Sequence, residues 1–110
     1  MPQIESPLPH LPVEIITIGK RHDETEIHPC MLCKTPTQKV YLSHEMWTNY
    51  KAIRAEEMPA YRCDDCGGLE TFNTEGVIEF LTQAIGLINP TKDPIIHELL
   101  RQELTAALIA

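Results

Sequence analysis

This 110-residue chain lacks several features that would assign a function directly. Aromatic residues make up only 5% of it, and its five glycines form no phosphate-binding loop. No apolar run approaches the roughly 20 residues that span a bilayer. The proline-rich start MPQIESPLPHLP has no apolar segment of the kind found in secretory signals. We therefore expect a cytoplasmic protein that neither spans a membrane nor cradles a nucleotide phosphate.

The sequence patterns of common catalytic sites are also missing. There is no serine nucleophile elbow, and His44-Glu45 lacks the second histidine of a zincin helix. His22-Asp23-Glu24, followed by the first cysteine pair, spells the zinc deaminase signature, but only four residues separate its two halves. That chemistry needs a helix and a strand between them. The sequence therefore predicts a protein that is not an enzyme.

Length and charge predict one small globular domain with an acidic surface. The chain is 43% hydrophobic and 23% charged, and its nine prolines favour short elements around a small core. The net charge of −7 argues against general phosphate-backbone binding and favours a basic protein partner. The charge is uneven, because residues 30–62 carry five basic against three acidic side chains, whereas residues 63–110 carry two against eight.

The four cysteines form two identical pairs, Cys30-x2-Cys33 and Cys63-x2-Cys66. In the cytosol such pairs indicate a metal site rather than disulfides. Each CxxC turn brings two sulfurs to one side, and two turns complete a tetrahedral shell of four thiolates. Because that shell leaves no position for water, the sequence predicts one structural Zn²⁺ per chain. We expect the metal-free protein to lose at least the region around the two turns.

Residues next to the cysteines refine this prediction. Gly67 can adopt the positive φ that a tight turn requires, whereas Lys34 occupies the equivalent position after the first pair. His28 lies two residues before Cys30 and could replace a ligand, although we expect it beside the site or facing solvent.

Two other uses of paired cysteines compete with zinc. A rubredoxin-like iron site would make the protein an electron carrier, and iron is the minor alternative. Lys34 and Asp64-Asp65 depart from the rubredoxin pattern. Redox catalysis of the thioredoxin kind needs one reactive pair at a helix start, so a second pair would be superfluous.

The pattern of apolar and turn residues predicts an α+β fold: a small zinc-ribbon-like knuckle domain with short antiparallel strands and two C-terminal helices. Strands are expected at 13–19 and 39–43, and Pro59 makes the segment 58–63 extended. Residues 44–57 fit either a helix capped by Ser43 or a twisted strand, and we favour the helix.

Both C-terminal helices have clear boundary signals. Asn73 or Thr74 caps the first, Asn89-Pro90 ends it, and Asp93-Pro94 begins the second. We expect the apolar stripe of the second helix to pack on the protein's own core, the alternative being a homodimer seam or partner-docking face through 94–109. The apolar face of the first helix comprises Val77, Leu81, Ala84, Ile85 and Ile88, and that of the second helix comprises Ile96, Leu99, Leu100, Leu104, Ala107 and Leu108. We accordingly divide the chain into a lead-in (1–12), a zinc-ribbon-like domain (13–88) and a C-terminal helix (89–110).

Residues 55–85, which contain Pro59-Ala60 and the Cys63-x2-Cys66-Gly67 motif, resemble the second half of YgiT-type zinc fingers, the zinc domain of MqsA-like antitoxins. The resemblance covers residues 30–85, about half of the chain, and the helix from Glu75 follows as in that family. The first cysteine pair matches in spacing, but Lys34 replaces the family's usual glycine. The residues that carry the resemblance are Pro59, Ala60, Cys63, Cys66 and Gly67.

This resemblance implies a module that neutralises a small basic ribonuclease toxin, which Glu70, Glu75 and Glu79 would meet. The chain departs from the family by having 29 residues before its first cysteine. Only 22 residues follow Ile88, too few for the helix-turn-helix domain of the DNA-binding members.

Two functions are therefore considered. The first is a non-catalytic, zinc-stabilised, antitoxin-like or inhibitor-like module that captures a basic protein partner, supported by the closed site and the acidic charge. The second is a zinc ribbon that binds nucleic acid or transcription machinery, supported by Lys39, Trp47, Lys51 and Arg54, which mix basic and stackable side chains.

Overall fold

A computed structural model of the chain describes residues 11–109. These residues form an α+β fold, as predicted, in which a four-stranded sheet is followed by two helices. The lead-in predicted over 1–12 lies outside the described residues except at its last two positions. The elements are β1 (Val13–Ile16), β2 (Gln38–Trp47), β3 (Ala52–Cys63), β4 (Leu69–Phe72), α1 (Thr74–Leu87) and α2 (Pro94–Ile109).

The sheet is organised around β3, which is 12 residues long. β2 pairs with it in antiparallel register, from Gln38 opposite Arg62 to Trp47 opposite Ala52. The other edge of β3 is shared, because β1 pairs in parallel with its first residues and β4 in antiparallel with its last. The sheet is therefore mostly antiparallel, with β2 and β3 longer than the sequence predicted.

The helix predicted over 44–57 is wrong, and so is the predicted cap at Ser43. This segment is the end of β2, a turn over 48–51 and the start of β3. Met46 pairs with Ile53 across the hairpin. Cross-strand packing therefore overrides a helical spacing that was only a weak preference.

Thr48 supplies the local reason for the turn. Its backbone N–H and its hydroxyl both donate to the Lys51 carbonyl. Its Oγ1 also accepts the backbone N–H groups of Tyr50 and Lys51, each at 3.0 Å. One side chain thus satisfies the polar backbone groups that a turn leaves without ladder partners.

α1 follows its predicted boundaries. The Asn73 side-chain oxygen accepts the N–H of Gly76, so Asn73 is the N-cap, and Ile88 lies just beyond the end. The buried inner face includes Leu81 and Ala84, as predicted, but also Phe80, which the predicted face omitted.

α2 begins at Pro94 and packs on α1. Leu100 is buried against the core, with Ile96 and Leu104 partly buried beside it. Leu99 and Leu108, predicted in the same stripe, stay 49% and 61% exposed. The predicted stripe is therefore only partly covered by the protein's own core.

The apolar core lies between the two helices and the first part of β3. Ile16, Ile53 and Met58 from the sheet meet Phe80 and Leu81 from α1. The cysteines lie at the opposite end of β3, away from this cluster. Within residues 11–109, every helix is too short or too polar to cross a membrane.

Candidate metal centre

The structure brings all four predicted cysteines together. Their Sγ atoms lie within 4.8 Å of one another, with Cys30 to Cys66 at 3.7 Å and Cys33 to Cys63 at 3.4 Å. A tetrahedral ion bound at about 2.3 Å from each sulfur separates the sulfurs by about 3.8 Å. The observed spacings fit that requirement, so the four cysteines could hold one metal ion.

The end of β3 positions the second cysteine pair. Cys63 is the last residue of that strand and Cys66 closes the short 3-10 turn Asp64–Cys66. Beyond this turn, β4 pairs back onto β3 with Leu69 opposite Cys63. The hairpin therefore fixes the second pair as an extension of the sheet.

Backbone hydrogen bonds hold the first pair against the same sheet. The Thr37 N–H and hydroxyl both donate to the His28 carbonyl, and Pro29 bridges to Pro36. The Cys30 N–H donates to the Thr35 carbonyl at 2.9 Å. The segment before β2 is thus closed into a narrow loop that presents both thiols on one side.

Each knuckle turn includes a residue with positive φ immediately after its second cysteine. Gly67 has φ 72° and Lys34 has φ 67°. This confirms the prediction that Lys34 occupies a position better suited to glycine. Its ammonium group donates to the Met31 carbonyl at 3.3 Å, which closes the turn from outside.

The first pair is set up to ionise. Backbone N–H groups of Cys33 and Leu32 lower the pKa of Cys30, and the Leu32 nitrogen lies 3.4 Å from its Sγ. The hydroxyl and N–H of Thr35 lower the pKa of Cys33 to about 6. Thr35 was not predicted from the sequence, because its spacing from Cys33 does not by itself indicate a hydrogen bond to that thiol.

The second pair behaves in the opposite way. Burial raises the pKa of Cys63. Hydrogen bonds with Cys33 and the other sulfurs raise the pKa of Cys66 well above its usual range. Four clustered thiols cannot all lose their protons unless a cation compensates the charge. The donor set therefore fits a thiophilic metal cation.

His22 and His28 pack against tyrosine rings. The His28 ring stacks on Tyr61 with centroids 3.8 Å apart and lies outside the sulfur cluster, so it lies beside the site as expected. His22, from the apparent deaminase signature, is buried against Tyr41 and Tyr61. Its Nε2 donates to the Val40 carbonyl at 2.8 Å.

The three glutamates proposed to meet a basic partner all have internal partners. Glu75 forms an ion pair with Lys20 at 2.6 Å, and Glu70 forms one with Arg62 at 2.8 Å. Glu79 accepts the backbone N–H groups of Gly19 and Lys20, at 2.6 and 3.1 Å. Glu75 and Glu79 thus meet at the segment that follows β1.

The basic residues proposed for nucleic acid are engaged as well. Lys51 contacts Glu14 at 2.6 Å and the Leu87 carbonyl at 2.9 Å. The Lys39 ammonium donates to the Glu26 carbonyl, and Arg54 lies between the carboxylates of Glu45 and Glu56. Trp47 is 40% exposed at the end of β2.

Exposed apolar residues surround the first knuckle, and sequence reasoning missed them. Ile27, Met31 and Leu32 are between 74% and 79% exposed. Met31 and Leu32 lie between the two cysteines of the first pair, so the turn that brings the thiols together also directs these two side chains into solvent. A large apolar residue inside a CxxC turn is the signal that could have identified this surface.

A comparison of this chain with family models, curated proteins and solved structures finds no match.

Proposed function

We propose that Cys30, Cys33, Cys63 and Cys66 hold one Zn²⁺ and that the protein is a non-catalytic, zinc-stabilised module that binds another protein. The sulfur cluster is the observation that carries this proposal. Four cysteine ligands fill a tetrahedral shell, so a bound zinc would have no open position for water or substrate. The bound ion supplies structural cross-linking, and the surface around it supplies the binding.

The distribution of charge favours a protein partner over nucleic acid. Six of the nine lysine and arginine side chains form ion pairs within residues 11–109. Phosphate contacts would have to replace those internal carboxylates, while the chain retains a net charge of −7. A basic protein surface would also exchange some internal ion pairs, but the net negative charge of the chain would attract it over a distance.

The apolar residues at the first knuckle support the same proposal. Ile27, Met31 and Leu32 project from a turn that a bound zinc would make rigid, so ordering them costs little on association. Isolated exposed apolar residues are common on surfaces, but three within six residues are a concentrated group. We propose that they provide apolar anchors for the partner.

The resemblance to antitoxin zinc domains gives one partner class, a small basic ribonuclease. In this chain Glu75, which is 71% exposed in its side chain, can exchange Lys20 for a cation of the partner. Glu70 would likewise exchange Arg62. A toxin-binding role through these residues therefore involves swapping internal ion pairs, each of which is worth little at an exposed position.

The metal is tested by native mass spectrometry together with elemental analysis of the purified protein. We expect one zinc per chain and no colour, with loss of the metal in a Cys63→Ser variant. One iron per chain and a red protein would replace this proposal with an electron carrier. A protein that purifies without bound metal and does not take up added Zn²⁺ would remove the structural role.

Binding is tested in two assays that separate the two classes of partner. In gel shifts at low ionic strength, labelled single-stranded and duplex oligonucleotides should show no sequence-dependent retention. In affinity capture, zinc-loaded protein should retain a basic protein that high salt releases, and a Met31→Ser/Leu32→Ser bait should retain less of it. Specific nucleic-acid binding that disappears in a folded Lys51→Ala/Arg54→Ala variant would establish the alternative function instead.

A further inference from the structure

α2 has two apolar faces, only one of which the protein covers. The inner face is centred on Leu100, which is buried with Ile96 and Leu104 beside it. At about 100° per residue, a second set of residues falls on one line roughly 140° around the helix from Leu100. We call this line the outer seam; its residues are Ile95, Leu99, Gln102, Ala106 and Ile109, all exposed to solvent.

The spacing of the outer seam is that of a helix-pairing surface. Its intervals along the chain are four, three, four and three residues, which is the a/d repeat of a coiled coil. Ile95 is 73% exposed and Ile109 80%, so the two ends of the seam carry large uncovered side chains. A helix that is apolar on two sides is normally buried on both.

We infer that the outer seam pairs with the same seam of a second copy of this chain, with the two helices antiparallel. The register that covers all five residues places Ile95 opposite Ile109 of the second copy, and Gln102 then lies beside Gln102 of the second copy. Leu99 then lies over the small Ala106 of the other helix, so that large and small side chains complement each other. A parallel pairing would instead set alanine against alanine and leave a gap.

The residue at the centre of the seam suits a two-fold axis. A glutamine amide carries both donor and acceptor groups, so Gln102 residues from two copies can bond to each other reciprocally. Single polar residues in such seams fix register at some loss of stability. An isologous contact of this kind closes on itself and stops at two copies.

The charge around the seam allows two acidic molecules to approach at this face. Arg101 binds Glu98 at 3.1 Å, and the Gln102 amide donates to the same carboxylate. Glu98 is therefore balanced within the helix, and Glu103 beside Leu99 adds one negative charge to this border, compared with −7 for the whole chain.

The predicted dimer is weak. A contact one helix wide and about 24 Å long buries on the order of 800 Å² in total, which is below the roughly 1,200 Å² of a stable specific interface and in the range of weak, transient contacts. A cavity of about 190 Å³ beside Leu99, lined also by His44, Phe80 and Glu103, adds surface that the second copy can cover. We therefore expect a dissociation constant in the micromolar range, with monomers at lower concentrations.

Sedimentation velocity of the zinc-loaded full chain, from about 1 to 500 µM, tests this inference. The mean mass should rise from one chain towards two as the concentration rises. An Ile95→Ser/Ile109→Ser variant should weaken the dimer by about tenfold or more, because both ends of the seam lose apolar contact. A Leu108→Ser variant is the matched control, since Leu108 is exposed on the same helix but outside the seam; it should change the constant less than about twofold.

Far-ultraviolet circular dichroism and zinc content check that both variants remain folded. A protein that stays monomeric at 500 µM, or a dimer that the seam variant does not weaken, would overturn the inference. Equal weakening by the control would also overturn it, because the contact would then lie elsewhere on α2. The inference does not rest on the proposed function, since a monomer would leave the zinc module and its partner binding unaffected.

The orientation is tested by disulfide cross-linking in the zinc-loaded protein. In the antiparallel register, a mixture of Ile95→Cys and Ile109→Cys variants should form a mixed dimer, whereas Ile95→Cys alone should not cross-link. Efficient cross-linking of Ile95→Cys with itself would indicate parallel helices and overturn the assigned register.

Discussion

Lys34 and Gly67 occupy the same position in two otherwise similar turns, and both have positive φ, at 67° and 72°. A residue with a Cβ in this region is less stable by about 1–2 kcal/mol, because the Cβ crowds the following carbonyl oxygen. A Cβ added at Gly67 would meet nothing within 4 Å. At Gly67 the backbone conformation, rather than packing, therefore decides which residue is preferred.

We predict that Lys34→Gly stabilises the zinc-loaded protein by about 0.5–1 kcal/mol and that Gly67→Ala destabilises it by about 1 kcal/mol. Glycine relieves the strain at residue 34 but adds freedom to the unfolded chain, so the gain is smaller than the strain. Urea unfolding at a buffered zinc concentration measures both. If Lys34→Gly is instead destabilising, the bond from the Lys34 ammonium to the Met31 carbonyl outweighs the backbone strain.

His44 is a half-buried titratable side chain beside the small core, where burial disfavours its charged form. Its ring meets Phe72 and Phe80 edge-on, with centroids 5.1 and 4.8 Å away. Burial lowers its pKa below the usual value, and the Glu103 carboxylate only partly opposes this effect. The neutral ring is therefore the form that the folded protein favours.

The sign of the resulting pH dependence follows from linkage. As the pH falls below about 6.5, the unfolded chain binds a proton at His44 more readily than the folded chain, so stability decreases. We predict that His44→Phe makes stability less dependent on pH between about 7 and 5, and thermal melts of the zinc-loaded proteins measure the difference. Both proteins have the same four cysteines, so the response of that cluster to acid is common to both, and parallel curves would contradict the prediction.

At the scale of elements, α1 contains two glycines in different surroundings. A Cβ at Gly86 would meet nothing within 4 Å, whereas one at Gly76 would lie 3.1 Å from Cγ of Pro59 on β3. That distance is too short for an ordinary contact, and a proline ring cannot rotate away. Gly76 is thus the point where the start of α1 comes close to the sheet.

We predict opposite effects for the same substitution at these two positions. Gly86→Ala should stabilise the protein by about 0.5–1 kcal/mol through helix propensity. Gly76→Ala should destabilise it by about 1–2 kcal/mol, because overpacking against Pro59 exceeds that gain. Thermal or urea unfolding of the two variants side by side provides the comparison; stabilisation by both would mean that β3 yields to the added methyl group.

The elements that could be predicted from the sequence are those with local signals. Asn73 and Pro94 mark helix starts, and the cysteine spacing predicted the four residues that the structure brings together. The β2–β3 hairpin has no such signal, because its turn depends on one threonine and its strands depend on each other. Ion pairs such as Lys20 with Glu75 join residues far apart in sequence, so no local pattern could reveal them.

At the scale of the whole molecule, β3 joins two centres of stability. Its first part packs into the apolar cluster with the helices, and its last residue is one of the four clustered cysteines. Structural zinc in zinc-finger peptides contributes about 10–16 kcal/mol, as much as the total stability of a typical small domain. The cysteine end has few buried apolar residues of its own, whereas the helical end has most of the core.

Removal of the metal should therefore affect the two ends differently. After chelation we expect amide hydrogen exchange to accelerate over residues 26–37 and 61–72, because loss of the metal–sulfur bonds would leave these two segments joined by side-chain contacts such as the His28–Tyr61 stack. Amides of α1 and α2 near Phe80 and Leu100 should stay better protected, since the apolar cluster does not depend on the sulfurs, and added Zn²⁺ should restore the turns. Unchanged exchange at the turns would show that the hairpins alone hold them. Equal loss everywhere would show that β3 transmits the metal's stabilisation through the entire fold, making the protein a single cooperative unit.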